Sequence, residues 1–268
     1  ARIRQTGLGQ FYRSELQKVP YVSGFLEGAR LAWPPSAFDA SWHTASAFAG
    51  ERFLLVGDAG LFIDPLSSEG VHKAMASAIT GAVVVNTLLQ RPAMTKYAIG
   101  FYEETQRATY EAHYRQSARY YREEGRWPDH PFWQRRSQTQ PGEDADQVEI
   151  LSFNPQSAIR NPQSVSHLRL APGVTIEPRP VIEGSYVELR EVVVAPPYPR
   201  GVRFLQNVCV PTLLRAVEAR EAVADIVATY LESAEGKRCP PESVRQVLAR
   251  LYQEGVLTSV EPTGTQSD

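Results

Sequence analysis

The sequence predicts an α/β (α+β) fold, and three observations carry that expectation. A short apolar run at residues 52–56, bounded by Gly50 and Gly57, reads as a buried strand, and a loop joins it to an apolar stretch at 70–90. That stretch repeats Val71, Met75, Ala78, Ala82 and Val85 at three- and four-residue spacing, the period of a helix face turned toward a core, and Arg91-Pro92 closes it. Farther on, strand-like runs at 174–176, 185–194 and 202–210 give way to helical periodicity at 211–219, 221–232 and 241–254, then to a last strand at 256–260.

The remaining elements follow in order. Residues 1–50 read as irregular, apart from an amphipathic segment at 11–18 and a turn at Pro34-Pro35. A second helix spans 95–124, where Tyr97, Phe101, Thr105, Ala108 and Ala112 give way to Arg115, Arg119 and Arg122. It is expected to be solvated on one side and packed through aromatics on the other, and Trp127, Phe132 and Trp133 lie just beyond it. From 138 to 163 the composition shifts to Ser, Gln, Asn, Pro and acids, the mark of a linker. Three parts result: 1–137 with the strand–loop–helix and the long helices, 138–180 as linker or irregular chain, and 181–268 as a strand region with a small helical module.

Bulk properties exclude several classes of function. The 268 residues are 43% hydrophobic and 22% charged, ordinary for a chain that buries a core. A net charge of −2 offers neither nucleic acid nor an anionic membrane a reason to bind. Cys209 and Cys239 form no CxxC or His/Cys cluster, so the expectation is two free thiols in a reducing compartment and no metal site. No apolar run reaches the ~20 residues of a membrane span, and a cytoplasmic protein is expected.

The chemistry concentrates in residues 56–75, VGDAGLFIDPLSSEGVHKAM. A strand that ends in Gly57-Asp58 puts a carboxylate at a sheet's carboxyl edge, where open α/β sheets bind nucleotides and an acid accepts from ribose or polyol hydroxyls. The loop through Pro65 then delivers the chain to the N-terminus of a long helix. Free N–H groups there, with Gly70 permitting close approach, would stabilise negative charge on a ligand.

This segment resembles the second flavin-binding motif of FAD-dependent monooxygenases and halogenases, a strand–GDA–Pro–Gly–helix unit that lies beneath FAD. FYEETQRATYEAHYRQSARYYREE and PFWQRR look like the helix and closing segment of tryptophan-halogenase-like flavoproteins, and ELREVVVAPPYPRGVRFLQNVCVP is similar to their C-terminal region. The resemblance implies the C-terminal portion of a Rossmann-like FAD-binding domain. Carried over, Gly57, Asp58 and Ala59 form the turn, with Asp58 bonding the ribityl chain or the ribose side of the diphosphate region. Pro65 lies along the isoalloxazine face. The amides of Ser68, Glu69, Gly70 and Val71 face the pyrimidine edge of the ring.

The resemblance names no catalytic residue in this chain, because it puts the catalytic lysine in an N-terminal segment that also carries a GxGxxG turn for the ADP part of FAD. Gly7-Leu8-Gly9 lacks the third glycine and the preceding strand of such a turn. That segment is therefore expected ahead of this sequence or on a companion fragment.

In both reactions of the family, reduced flavin meets dioxygen and forms a C4a-hydroperoxide. A hydroxylase passes the oxygen to substrate, whereas a halogenase lets halide capture it first. The halide site in such enzymes uses amides beside a Ser/Thr–Gly pair. Here Glu69 stands before Gly70, and an ionised carboxylate nearby would repel halide. The resemblance thus points first to a monooxygenase that hydroxylates an aromatic group on a peptide, protein or carrier-bound substrate, with FAD reduced by NAD(P)H or a partner flavin reductase. A flavin-dependent halogenase is the alternative, and a non-enzymatic binding module the third reading. His72 and Lys73 are expected at the helix surface, and Trp42 and His43 precede the motif.

The closing helices with their final strand resemble a small winged-helix unit. Glu218, Asp225, Glu232, Glu242 and Glu254 make it acidic, which suits peptide docking or packing better than phosphate binding.

Overall fold

A computed structural model describes residues 6–137 and 166–260. Two compact units divide at Trp42. In the first, helix α1 (Leu8–Leu16) starts from Gly7, whose φ of 77° turns the chain so that its carbonyl accepts the Phe11 N–H. Tyr12, Leu31 and Trp33 are exposed there around a shallow cavity of about 260 Å³.

The second unit mixes helices with antiparallel sheet, the α/β class expected. Strand β1 (His43–Thr44) pairs with β4 (Leu61–Phe62), and between them β2 (Ala49–Gly50) forms a hairpin with β3 (Phe53–Leu54). The strand expected at 52–56 is therefore shorter and less buried than expected. Phe53 and Val56 are exposed, and no parallel neighbour lies beside β3 among the described residues. Helix α2 (Gly70–Gln90) follows, then α3 (Thr95–Glu123) and α4 (Pro131–Arg136).

The inward face of α2 corrects the sequence reading. Its buried residues are Lys73, Ser77, Gly81, Val84 and Thr87, whereas Val71, Met75, Ile79, Val85 and Leu89 are exposed. The inner side is small and polar because it meets backbone. Ser77 Oγ accepts the Gly57 N–H at 2.9 Å, and Thr87 Oγ1 accepts the Val187 N–H at 2.8 Å. A Cβ at Gly81 would lie 2.8 Å from the Leu54 side chain, so only glycine admits that approach without a shift. On α3 the buried line is Ala98, Tyr102, Gln106, His113, Ser117 and Tyr121, one position round from the face expected, and Tyr97 is exposed. Tyr102 donates to the Leu55 carbonyl at 2.8 Å, and Glu103 accepts from the Ala49 N–H at 3.0 Å, so α3 holds the β2–β3 hairpin.

Residues 138–165, and with them the expected linker at 138–163, lie outside the described residues. Residues 166–173, expected to be irregular, contain β5 (Leu168–Leu170), and the strand expected at 174–176 is the start of the longer β6 (Thr175–Glu183). Strand β6 pairs with β7 (Tyr186–Ala195) across a two-residue turn whose first residue, Gly184, has a φ of 59°. Pro178 and Pro180, two apart in β6, have no N–H to offer, which suits an edge strand, and the order β6–β7–β8 puts β6 at the edge. Strand β8 (Tyr198–Val202) begins inside the turn expected at 195–201. Strands β9 (Phe204–Leu205) and β10 (Val208–Cys209) take the place of the single run expected at 202–210, because Gln206 and Asn207 both adopt positive φ and turn the chain back.

Helices α5 (Val210–Ala219), α6 (Val223–Glu232) and α7 (Pro241–Gln253) lead to β11 (Leu257–Ser259), which pairs with β5. This three-helix unit with a strand pair matches the small module read from the sequence, except that the partner strand comes from upstream. It shares one core with the sheet: Val193 and Ala195 of β7 pack with Leu213, Leu214, Ile226, Tyr230, Val247 and Leu251. Cys209 is buried, Cys239 is half-buried, and both are free thiols. No helix among the described residues is long and apolar enough to cross a membrane.

Several buried phenols give the fold an alkaline limit. Burial pushes Tyr102 up to about 12, and burial with the Asp64 carboxylate does the same to Tyr121. Burial raises Tyr198 and Tyr230 further. A phenol whose folded pKa exceeds its unfolded value stays neutral in both states at lower pH and ionises first in the unfolded chain. The stability it contributes is thus full below pH ~10 and lost as pH rises toward ~12. Thermal melting followed across this range should show a midpoint that falls steeply above pH ~10, and Tyr102→Phe should make the fall shallower. An unchanged slope in that variant would contradict the assignment.

Candidate functional site

The site is built from the turn after β3, the strand β4 and the start of α2. Gly57 has a φ of 59°, and a Cβ there would sit 3.3 Å from Ala74 Cβ, so glycine both makes the turn and lets it touch the helix. Ser77 closes this contact by taking the Gly57 N–H while donating to the Ala74 carbonyl at 2.8 Å. Asp58 and Ala59 follow in a single 3₁₀ turn and are exposed.

Asp58 is held from beneath. Lys73 Nζ lies 2.7 Å from Asp58 Oδ1 and also donates to the Leu61 carbonyl. The lysine side chain is 1% exposed and the aspartate 60% exposed, so the pair joins a buried ammonium to a solvent-facing carboxylate. The surface position expected for Lys73 is overturned: it sits on the side of α2 that faces the loop. His72 is exposed as expected, and its Nδ1 lies 3.3 Å from Glu69 Oε2. His43 Nε2 comes within 3.3 Å of the Asp58 carbonyl, and its ring stacks on Phe62 with centroids 5.3 Å apart.

The far end of the loop is pinned by Asp64, which is buried. Its Oδ1 accepts the Leu66 N–H at 2.9 Å, and its Oδ2 accepts the Tyr121 hydroxyl at 2.8 Å. Tyr121 in turn packs against Phe132 and Trp133 of α4, with centroids 5.9 and 5.6 Å away. Pro65 is exposed and opens a 3₁₀ turn. Ser68 ends that turn at a φ of 57°, and this left-handed residue redirects the chain into α2.

The Ser68 N–H donates to the Pro65 carbonyl at 3.1 Å, so the free amides start one residue later than the sequence reading put them. The first bond of α2 runs from the Lys73 N–H to the Glu69 carbonyl at 2.9 Å. The N–H groups of Glu69, Gly70, Val71 and His72 have no acceptor among the described residues, and no side chain caps the helix. A Cβ at Gly70 would meet nothing within 4 Å, so the approach to these amides is open. His113 of α3 is buried, and its Nδ1 has no partner among the described residues. Burial pulls its pKa down; Glu69 works against this, while Lys73 and His72 add to it.

All eight residues singled out in the sequence, Gly57, Asp58, Ala59, Pro65, Ser68, Glu69, Gly70 and Val71, thus lie along one continuous turn and helix start. Ser77, Asp64, Tyr121 and His113 were missed, and Lys73 was read as a surface residue. A lone lysine in the Ala/Ser/Met-rich stretch at 73–78 was the available signal for the burial of Lys73. Nothing local marks Tyr121, which reaches the loop from α3, or His113.

Residues 37–166 match the tryptophan halogenase family. Sulochrin halogenase gedL of Aspergillus terreus is 38% identical over 79 residues, covering 30% of this chain and 14% of that protein. The putative FAD-dependent oxidoreductase LodB of Marinomonas mediterranea is 39% identical over 88 residues, 32% of this chain and 22% of LodB. The solved structure of the peptidyl tryptophan dihydroxylase QhpG, essential for tryptophylquinone cofactor biogenesis, is similar at a TM-score of 0.66 and 26% identity, over 93% of this chain and 52% of that one. This chain therefore spans about half the length of that structure, and its matched stretches a smaller share of the curated relatives. Over the part matched, the chain is similar to FAD-dependent halogenases and oxidoreductases, and these matches support a place in their superfamily.

Proposed function

We propose that the chain is the C-terminal part of an FAD-dependent monooxygenase that hydroxylates an aromatic group on a peptide, protein or carrier-bound substrate. The observation that carries this reading is the open start of α2, where unpaired N–H groups at 69–72 lie beside a turn that exposes the Asp58 carboxylate. These residues fit a flavin. Aligned amides at a helix N-terminus favour an anionic group, the missing side chain of Gly70 leaves room for a flat ring, and Asp58 can accept from ribityl or ribose hydroxyls.

Bound reduced flavin supplies the activation of dioxygen. Gly57 and Ala59 shape the turn that presents Asp58. Pro65 gives a rigid, exposed surface along the ring, and Ser68 aims the chain into the helix. The amides of Glu69, Gly70 and Val71 stabilise negative charge at the pyrimidine edge. Because the loop is pinned at Asp58 and at Asp64, they do so with little reorganisation. A GxGxxG-bearing segment or companion fragment holds the ADP part, and the exposed apolar face of α2, from Val71 through Met75 and Ile79 to Leu89, offers it a surface. Electrons come from NAD(P)H or a partner flavin reductase.

A large substrate is favoured by the likeness to a peptidyl tryptophan dihydroxylase, which extends over most of the chain. Halogenation is the second reading. It is favoured by the curated halogenase relatives, and Glu69, the residue that argues against a halide there, keeps its carboxylate at exposed His72 rather than over the amides.

Three measurements test the proposal in the full-length protein. Reconstitution with FAD should give a retained yellow chromophore, and Asp58→Ala should remove a charge-assisted hydrogen bond of about 1.5–3 kcal/mol, weakening FAD binding roughly ten- to a hundredfold. A colourless protein would support a non-enzymatic module, and wild-type affinity in the variant would show that Asp58 does not touch the cofactor. Mass spectrometry of the turnover product, with chloride and then bromide present, should show added oxygen. A halide-dependent mass would favour the halogenase.

A further inference from the structure

Among the described residues, Lys73 is the one lysine or arginine that is buried. A buried ammonium is retained only where acceptors compensate its lost hydration, and a lysine presents a single charge on a flexible stem. Its two acceptors here come from different elements: the Asp58 carboxylate from the turn after β3 and the Leu61 carbonyl from β4. The carboxylate is engaged through Oδ1 alone, and Oδ2 has no hydrogen-bond partner among the described residues.

We propose that Lys73 is the positioning residue for Asp58, holding its carboxylate by one oxygen and leaving the other for a ligand hydroxyl. This rests on the flavin reading above. An exposed aspartate on a turn would otherwise sample several rotamers, and fixing one on binding costs affinity. The ammonium removes that cost in advance. It also offsets the carboxylate's charge, which would otherwise repel a diphosphate-bearing cofactor within a Debye length of about 10 Å. The same contact ties β4 to the start of α2, so the turn and the free amides keep one relative position.

A double-mutant cycle in the full-length protein tests the assignment through FAD affinity and thermal melting, neither of which requires turnover. Lys73→Met and Asp58→Asn should each weaken FAD binding about tenfold, and the double variant should lose about tenfold rather than a hundredfold, because both changes disable one group. In melting without FAD, Asp58→Asn alone should lower the midpoint by stranding the ammonium, and adding Lys73→Met should recover part of the loss. A purely structural lysine would weaken FAD binding equally with Asp58 present or replaced, and such additivity would overturn the proposal. Wild-type FAD affinity in Lys73→Met beside weakened binding in Asp58→Asn would overturn it too, with the flavin reading intact. Wild-type affinity in Asp58→Asn would instead remove the flavin reading, and the proposal with it.

Discussion

An ammonium taken out of water needs a counter-charge within hydrogen-bonding reach, and leaving it unpaired costs several kcal/mol even after relaxation. Lys73 puts that requirement at the first turn of α2. Meeting it draws in the Asp58 carboxylate and the Leu61 carbonyl, so the turn, β4 and the helix start are set by one group. At the other end of the loop, Asp64 joins the Leu66 N–H to the Tyr121 hydroxyl and so fastens the loop to α3. Between the two anchors the backbone bends through Ser68, and the amides that follow are left unpaired. The open site results from what is fastened around it.

How much of this was legible in the sequence depends on the range of the interaction. Gly57, Asp58, Pro65 and Gly70 are turn and helix-start residues, each bearing its conformational reason locally, and the structure sets them on one continuous loop. The direction in which α2 faces was not legible. Apolar spacing at Val71, Met75, Ala78, Ala82 and Val85 reads as a core face, yet the inner face of α2 carries lysine, serine, glycine and threonine because its partners are backbone groups of the turn and of β7. Periodicity reports where apolar side chains are, and here they lie on the side that no described residue covers. Tyr121 and His113 depend on how α3 packs, so no local pattern could mark them. The prolines of β6 hid most of a nine-residue strand of which only 174–176 was read, since proline argues against a strand unless the strand is at an edge.

The helical module at the C-terminal end is joined to the site helix through the long sheet. Its helices share a core with Val193 and Ala195 of the long sheet, and Tyr230 buries its hydroxyl against the Cys209 N–H at 2.9 Å. The same sheet reaches α2 through Thr87 and Asn86, and Arg91 pairs with Glu188 while its guanidinium lies 3.7 Å over Tyr186. Module, sheet and site helix are thus linked by packed contacts.

The claim at the centre of this account is that the unpaired amides at the start of α2 receive the flavin. Amide hydrogen exchange of the full-length protein, read by mass spectrometry with and without FAD, addresses it directly. Exchange at residues 69–72 should slow on FAD binding, while the amides already bonded within α2 change little. FAD binding that leaves exchange at 69–72 as fast as in the cofactor-free protein would contradict it.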